Sequence, residues 1–195
     1  VCYNKEHVFP QSWFDGTYPA YSDMHFVWPA DNRTNLLKSN YPIGNAKNVF
    51  FSSRNGSTVG ASDNVNNFGY TGSNVFEPID SFKGEFARAY LYVATRYLDS
   101  LSSWKTYSTA DNVLAGSAYP GFDPWILQLC VQWHKLDPPS AFEKSRNDAV
   151  ELIQGNRNPY VDFPHWVERV FGPNGNSVSC VPTAVKVIKQ SDFSI

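Results

Sequence analysis

The second half of this sequence is dominated by apolar residues three and four positions apart, a spacing that constrains the fold more than any other feature. The clearest pattern follows Asp80 and Ser81, which can cap a helix, and runs through apolar positions from Phe82 to Tyr97. Further helical patterns lie at about 124–135, 139–155 and 162–172. Proline stands near the start of each, and glycine ends the last two. We therefore predict that this half of the chain is helical.

The first half has less regular patterning, but two stretches predict β-structure. The apolar run Met24–Trp28 predicts a buried strand, Pro29 is expected to end it, and Ala30–Lys38 can form a short helix. Residues 45–74 are rich in Asn, Ser and Gly, which predicts a surface loop with an edge hairpin. Together with the helical second half, these patterns predict an α+β fold.

Length and composition favour a single folded domain. The chain has 195 residues, 42% of them hydrophobic and 17% charged, which excludes the class of disordered proteins. We expect one domain over residues 1–172 and a C-terminal extension over 173–195, whose β-branched stretch could be a terminal strand or the start of a neighbouring domain. No apolar run approaches the roughly 18 to 20 residues of a membrane span, so we expect no membrane partner. The net charge of −2 gives no bulk attraction for polyanions.

The cysteines and the residue composition indicate where in or outside the cell the protein is located. Cys2, Cys130 and Cys180 are far apart without C-x-x-C spacing, which argues against a zinc module. A disulfide between Cys2 and Cys180 and three unpaired thiols both remain open, since Cys130 lies in an apolar helical pattern. Many Asn, Ser and aromatic residues indicate an exported protein, and the chain opens without a signal-peptide pattern. We expect a mature secreted or periplasmic protein.

Acid, base and metal-ligand side chains are concentrated near the N-terminus. Glu6 and His7 are adjacent, and a turn before Pro10 would let both face one pocket. A carboxylate beside an imidazole supplies a hard metal ligand and a group that titrates near neutrality. Asn35 lies on the predicted short helix, where its amide oxygen and Glu6 could hold one divalent cation, Mg²⁺ or Ca²⁺. Strand, loop, strand and helix would form a ββα arrangement. For His25, on the apolar strand, a structural role is favoured over a metal-ligand role.

Short motifs follow one another in order from about Tyr3 to Gly172. They are Glu6-His7-Val8-x-Pro10, Asp23-x-His25, Pro29-Ala30, Asn35 with Ser39-Asn40, Phe76-Glu77-Pro78, Lys83-Gly84-Glu85-Phe86-Ala87-Arg88-Ala89, Trp133-His134-Lys135, Glu143-Lys144-Ser145-Arg146-Asn147-Asp148 and Gln154-Gly155-Asn156-Arg157-Asn158-Pro159. In this order they resemble the bacterial endonuclease I family of His-Me finger (ββα-metal) nucleases. The last motif is highly specific.

The resemblance implies a His-Me finger core embedded in a mainly helical single domain. It implies that His7 is the general base and that the ligands of one divalent metal are Glu6 and Asn35. Mg²⁺ is favoured, with Mn²⁺ or Ca²⁺ as alternatives. The implied reaction is the largely sequence-independent hydrolysis of DNA, with RNA as an alternative, to 5′-phosphate and 3′-hydroxyl ends. The residues 156–158 would support the site, and the protein is expected to be a monomer that binds the phosphate backbone.

Local basic residues would have to hold such a substrate. The candidate phosphate contacts are Arg33, Lys38, Arg54, Lys83 and Arg157. Lys38 is favoured because the predicted short helix carries it, followed by Arg157, although each residue could also be a solvated surface charge.

A function of another class is compatible with the aromatic and Asn-rich loops. The chain could be a non-catalytic extracellular binding module, for carbohydrate or nucleic acid, on a nuclease-like fold. Such a module needs no base beside a hard-metal site, so the coexistence of Glu6, His7 and Asn35 favours the nuclease.

Overall fold

The structure is a computed structural model, and it describes residues 3–72, 74–107, 112–117 and 119–173. The strands are β1 (Tyr3–His7), β2 (Val27–Asp31), β3 (Ala46–Ser52), β4 (Thr58–Ser62) and β5 (Asn74–Glu77). The helices are α1 (Asn32–Lys38), α2 (Asp80–Arg96), α3 (Leu98–Trp104), α4 (Pro124–Leu136), α5 (Ala141–Gln154), α6 (Pro159–Asp162) and α7 (Trp166–Phe171). Of the described residues, 45% are helical and 18% are in strands. The protein is thus a mixed α and β structure, and the expectation of a mainly helical domain is only partly supported.

An antiparallel strand pair followed directly by a helix forms the N-terminal part, as predicted. β1 pairs with β2, with Glu6 opposite Trp28, and α1 follows β2 without a loop. The Asp31 carboxylate caps α1 by accepting a hydrogen bond from the Thr34 amide at 2.8 Å. The end of β1 therefore lies beside α1, where the Glu6 carboxylate contacts Lys38 and the Lys5 carbonyl contacts Asn35.

The predicted boundaries in this unit were wrong by a few residues. β2 passes through Pro29 instead of ending before it, and α1 begins at Asn32 instead of Ala30. Both strands of a two-stranded sheet are edge strands, where proline is tolerated because its missing amide need not interrupt a ladder.

The connection between β1 and β2 anchors the pair in the core. Apolar side chains of this connection are fully buried: Val8, Phe9, Trp13, Phe14 and Phe26. The Phe9 ring contacts Tyr90 of α2 edge-on and stacks on Phe122, with ring centres 5.4 and 5.9 Å apart. Because these aromatic contacts join the connection to the helices, the ends of β1 and β2 are held in place.

A second sheet occupies the region where a loop with one hairpin was predicted. It contains β3, β4 and β5 in that order, all antiparallel. The β3–β4 turn includes Gly56 with φ +98°, a conformation that favours glycine. The polar composition obscured this sheet because much of β3 is exposed and only short apolar stretches mark the strands.

The helices confirm the predicted patterns and form the rest of the core. α2 packs closely against the end of α4, since a Cβ added to Gly84 would lie 1.9 Å from the Asp137 carbonyl oxygen. α5 begins after Ser140, whose hydroxyl accepts a hydrogen bond from the Glu143 amide, and it ends at Gly155 with φ +76°. The pattern that was predicted as one helix to Tyr97 continues beyond that residue as α3.

Two further expectations can be compared with the structure only in part. Cys130 is a buried free thiol, whereas Cys2 and Cys180 lie outside the described residues. Most of the predicted extension, residues 174–195, also lies outside them. Within the described residues, no helix combines the length and apolarity needed to cross a bilayer.

Candidate active site

Glu6 and His7 lie together at the end of β1 and face a common open cavity. Both side chains are buried, with 8% and 7% of their surface exposed. The cavity, which we call the β1 cavity, has a volume of about 350 Å³ and is also lined by Asn35. β1 ends at His7, so the strict alternation of a strand no longer separates the two neighbours. The structure thus brings together the three residues expected to form the site.

The imidazole of His7 is oriented by a backbone carbonyl. Its Nε2 atom lies 2.9 Å from the carbonyl oxygen of Tyr21. In the neutral ring, an Nε2–H that donates to this oxygen leaves Nδ1 as the proton acceptor. Burial lowers the pKa of His7 from its ordinary value of 6.5. The ring is therefore neutral at neutral pH and can accept a proton.

The donor set around the β1 cavity suits a hard cation. Asn35 Nδ2 donates to the Lys5 carbonyl at 3.2 Å, which leaves the amide oxygen of Asn35 for another partner. Glu6 supplies a carboxylate from the neighbouring strand. Carboxylate and amide oxygens are ligands that Mg²⁺ and Ca²⁺ accept, with water completing the coordination. In the described part of the chain, no three His, Cys, Asp or Glu side chains form a metal-type cluster.

Lys38 occupies a different position from the surface contact expected for it. Its ammonium is buried, 2.5 Å from Glu6 Oε1 and 3.4 Å from the His7 carbonyl oxygen. The reason is that the face of α1 that carries Lys38 packs toward β1. In this arrangement Lys38 contacts the Glu6 carboxylate and has no free surface for a phosphate.

Two other candidate phosphate contacts differ from each other. Arg33 is exposed, with its guanidinium carbon 5.8 Å from the Phe51 ring centre. Arg157 instead donates to three carboxylates, each at 2.7 Å: Asp148, Glu151 and Asp162. Hydrogen bonds to these carboxylates raise the pKa of Arg157. The expectation that Arg157 contacts phosphate is therefore not supported by its surroundings, whereas Arg33 is available.

A buried network around Asp23 holds the segment next to Tyr21. Asp23 accepts hydrogen bonds from the hydroxyls of Tyr92 and Tyr97, at 2.8 and 2.7 Å, and from the Gln154 amide at 2.8 Å. Since Asp23 follows Tyr21 by two residues, the network restrains the carbonyl that orients His7. The sequence motifs D-x-H and Q-G-N contain Asp23 and Gln154, although no pattern in the sequence showed that these two side chains are in contact.

His25 belongs to the same network, in the structural role that was favoured for it. Its Nε2 atom lies 3.1 Å from the Asn156 carbonyl oxygen, and its backbone amide donates to Asp23. Only 3% of the side chain is exposed. His25 is thus held away from the β1 cavity, which it does not line.

A second buried network, between α2 and α5, contains a carboxyl group with one oxygen that has no hydrogen-bond partner among the described residues. Arg88 donates to both carboxylate oxygens of Glu143, at 2.7 and 2.5 Å. Glu85 lies beside this pair, and its Oε2 atom has no hydrogen-bond partner among the described residues. Burial, and next the charge of Glu143, raise the pKa of Glu85 to about 7.

Glu85 should make the fold less stable as the pH rises. Its pKa is raised above the ordinary value of 4.5, so the destabilisation grows from about pH 4.5 and is complete above about pH 7. We expect Glu85→Gln to raise the free energy of unfolding by roughly 2 kcal/mol more at about pH 8 than at about pH 5. Urea titrations at both pH values measure this difference.

The matched control is Asp15→Asn, the same carboxyl-to-amide change at an exposed position. It should produce no such pH-dependent gain. An equal gain from Glu85→Gln at both pH values would show that Glu85 is ionised in the folded protein throughout the range.

Comparison with known proteins places the sequence among nucleases. The sequence pattern of the Endonuclease I family matches residues 1–165. The chain is 32% identical over 173 residues to an extracellular ribonuclease of Bacillus subtilis (strain 168) and 29% identical over 174 residues to an extracellular ribonuclease of Bacillus amyloliquefaciens. Both alignments cover 87% of this chain and 54% of the relative.

A more distant relative carries a different substrate in its name. An extracellular deoxyribonuclease of Aeromonas hydrophila is 25% identical over 140 residues, which is 72% of this chain and 49% of the relative. The chain spans about half the length of the curated relatives it matches.

Proposed function

This chain belongs to the endonuclease I family, and we propose that it is a secreted, metal-dependent endonuclease that cuts DNA or RNA largely without regard to sequence. One observation carries the proposal: an oriented, neutral imidazole and two oxygen donors line the same cavity. Relatives named as extracellular ribonucleases and as an extracellular deoxyribonuclease support secretion and leave both nucleic acids as candidate substrates. We assign β1, β2 and α1 to the ββα core of a His-Me finger.

In the proposed reaction, His7 is the general base. Nδ1 of the neutral ring takes a proton from the water that attacks phosphorus, and the Nε2–H bond to the Tyr21 carbonyl stabilises the imidazolium that forms. The carbonyl also fixes the ring plane, so that Nδ1 keeps one direction during turnover. His7 therefore acts as a positioned base without a second side chain behind it.

Glu6 and Asn35 would hold one divalent cation, most simply Mg²⁺. When bound, such a cation neutralises negative charge on the phosphate and on the leaving 3′ oxygen. Lys38 keeps the Glu6 carboxylate in place at the end of β1. Because the leaving atom is the 3′ oxygen, the products carry 5′-phosphate and 3′-hydroxyl ends.

The proposal is tested by incubating the protein with covalently closed circular DNA and with RNA, in Mg²⁺ and in excess EDTA. We expect cleavage of at least one of them in Mg²⁺, its loss in EDTA, and its recovery when Mg²⁺ is added back. Undiminished cleavage in EDTA would remove the cation from the mechanism. Binding of nucleic acid or carbohydrate without any cleavage would instead support the binding-module alternative.

Substrate affinity should depend on Arg33 and not on Arg157. In a His7→Ala background, the slope of log K against log salt for duplex DNA should flatten by about 0.9 when Arg33 is changed to Ala, the value for one phosphate contact. Arg157→Ala is the matched control, because its guanidinium is already bound to carboxylates. Fluorescence anisotropy titrations at several salt concentrations measure both slopes, and an equal change in both would argue against a contact by Arg33.

A further inference from the structure

A second and larger cavity shares the lining residue Glu6 with the β1 cavity. It has a volume of about 830 Å³, within the range of roughly 300 to 1,000 Å³ typical of small-molecule sites. We call it the aromatic groove and define it by six of its lining residues: Trp28, Phe51, Phe82, Phe86, Arg33 and Arg54. Glu6 lines both cavities. The aromatic groove therefore lies beside the candidate active site.

Four aromatic side chains that line the groove come from three different elements and are only partly buried. Trp28 of β2 lies near two rings of α2, with ring centres 6.3 Å from Phe82 and 5.9 Å from Phe86. The Phe82 ring meets Trp28 nearly edge-on, at an interplanar angle of 86°. Phe51 of β3 also lines the groove, near Arg33. These partly exposed rings offer apolar surface to a flat group.

The groove also carries two arginines that form no ion pair with a carboxylate of the described residues. Arg33 and Arg54 are exposed, and within the described ranges neither has a carboxylate within 4.0 Å. Of the acidic side chains that line the groove, Glu6 pairs with Lys38 and Asp31 caps α1. In a chain with a net charge of −2, two exposed guanidinium groups that line the same cavity as aromatic rings offer a local positive charge to a phosphate-bearing ligand.

We propose that the aromatic groove binds an unpaired base next to the scissile phosphate, so that single-stranded nucleic acid is the preferred substrate. This inference rests on the proposed nuclease function. Arg33 and Arg54 contact flanking phosphates, while the base lies against the aromatic side chains. In a duplex both faces of a base are covered by its neighbours, so it reaches the groove only after unstacking. Every base has an aromatic face, and the groove is therefore tolerant of sequence.

The test compares matched single-stranded and duplex oligonucleotides, of both DNA and RNA, in Mg²⁺. Wild type should cut the single strand with the higher kcat/KM. Phe51→Ala and, independently, Phe82→Ala should lower kcat/KM on the single strand by roughly 5- to 150-fold, the range for loss of one stacked base. Phe163→Ala, which removes an exposed aromatic ring outside the groove, should leave it unchanged. Circular dichroism melting curves check that each variant is folded.

An abasic position identifies the contact itself. With the wild-type enzyme, removing the base next to the cut site should lower kcat/KM about as much as Phe51→Ala lowers it on the intact strand. On the abasic strand, Phe51→Ala should lower kcat/KM little further. Equal rates on single strand and duplex, or additive losses, would overturn the proposal while leaving the nuclease function standing.

Cleavage of neither nucleic acid would instead mean failure of the proposed function. In that case, the affinity of each variant for the single-stranded oligonucleotide tests whether the groove binds a base. Weaker binding by Phe51→Ala than by Phe163→Ala would support the proposal, and equal binding would overturn it.

Discussion

His7→Ala is expected to lower kcat by roughly two to four powers of ten, the usual loss when a general base is removed. The buried ring is neutral, and its Nε2 bond to Tyr21 leaves Nδ1 for the proton of the attacking water. Alanine removes this acceptor but leaves Glu6 and Asn35 in place. The affinity for Mg²⁺, measured as the concentration that gives half-maximal activity, should therefore change little.

His165→Ala is the matched control, because it removes an exposed imidazole outside the β1 cavity. It should retain full activity. If His7→Ala also kept most of its activity, the general base would have to be another group, and the geometry at Tyr21 would have no catalytic meaning.

Asn35→Ala should weaken Mg²⁺ binding and activity together. Asn35 supplies one of the two oxygen donors, and loss of even an outer partner of a metal ligand typically costs roughly 10- to 100-fold in affinity. We expect at least that increase in the Mg²⁺ concentration needed for half-maximal activity, with part of the rate recovered at high Mg²⁺. This variant keeps the buried pair of Glu6 and Lys38, so the fold is not placed at risk.

The second ligand needs a more careful design. Glu6→Gln alone would leave the Lys38 ammonium buried without its partner, a change that typically costs about 3–5 kcal/mol of stability. The double variant Glu6→Gln, Lys38→Met removes both charges and should fold, but it should not recover activity even at high Mg²⁺. Lys38→Met alone leaves the Glu6 carboxylate without its cation at a similar cost in stability, but it should still bind Mg²⁺. Unchanged Mg²⁺ dependence in both Asn35→Ala and the double variant would exclude these residues as ligands.

The N-terminal unit could be predicted because its chemistry and its local patterns coincide. The predicted strands and short helix form a ββα arrangement that brings Glu6, His7 and Asn35 together, and the resemblance of the ordered motifs to the endonuclease I family implied the same three residues. Basic residues could not be assigned in this way. The role of Lys38 depends on which face of α1 packs inward, and that of Arg157, between α5 and α6, depends on the carboxylates around it. Both are properties of tertiary structure.

For the residues that support the site, local patterns again marked single residues, whereas their partners depend on tertiary structure. The motif D-x-H marked Asp23, but its tyrosine partners come from α2, far along the chain. The aromatic groove needs β3 next to β2 and α2, and the polar composition of residues 45–74 gave little sign of that sheet. Long-range packing, which no local pattern encodes, therefore determined what sequence analysis missed.

The most direct test of the central claim is to follow oxygen from labelled water into the products. Circular DNA and RNA are cleaved in Mg²⁺ in water labelled with heavy oxygen, and the new ends are analysed by mass spectrometry. The mechanism predicts one labelled oxygen on the 5′-phosphate, unlabelled 3′-hydroxyl ends, and almost no labelled product from His7→Ala. Products that end in a 3′-phosphate or a 2′,3′-cyclic phosphate would contradict it.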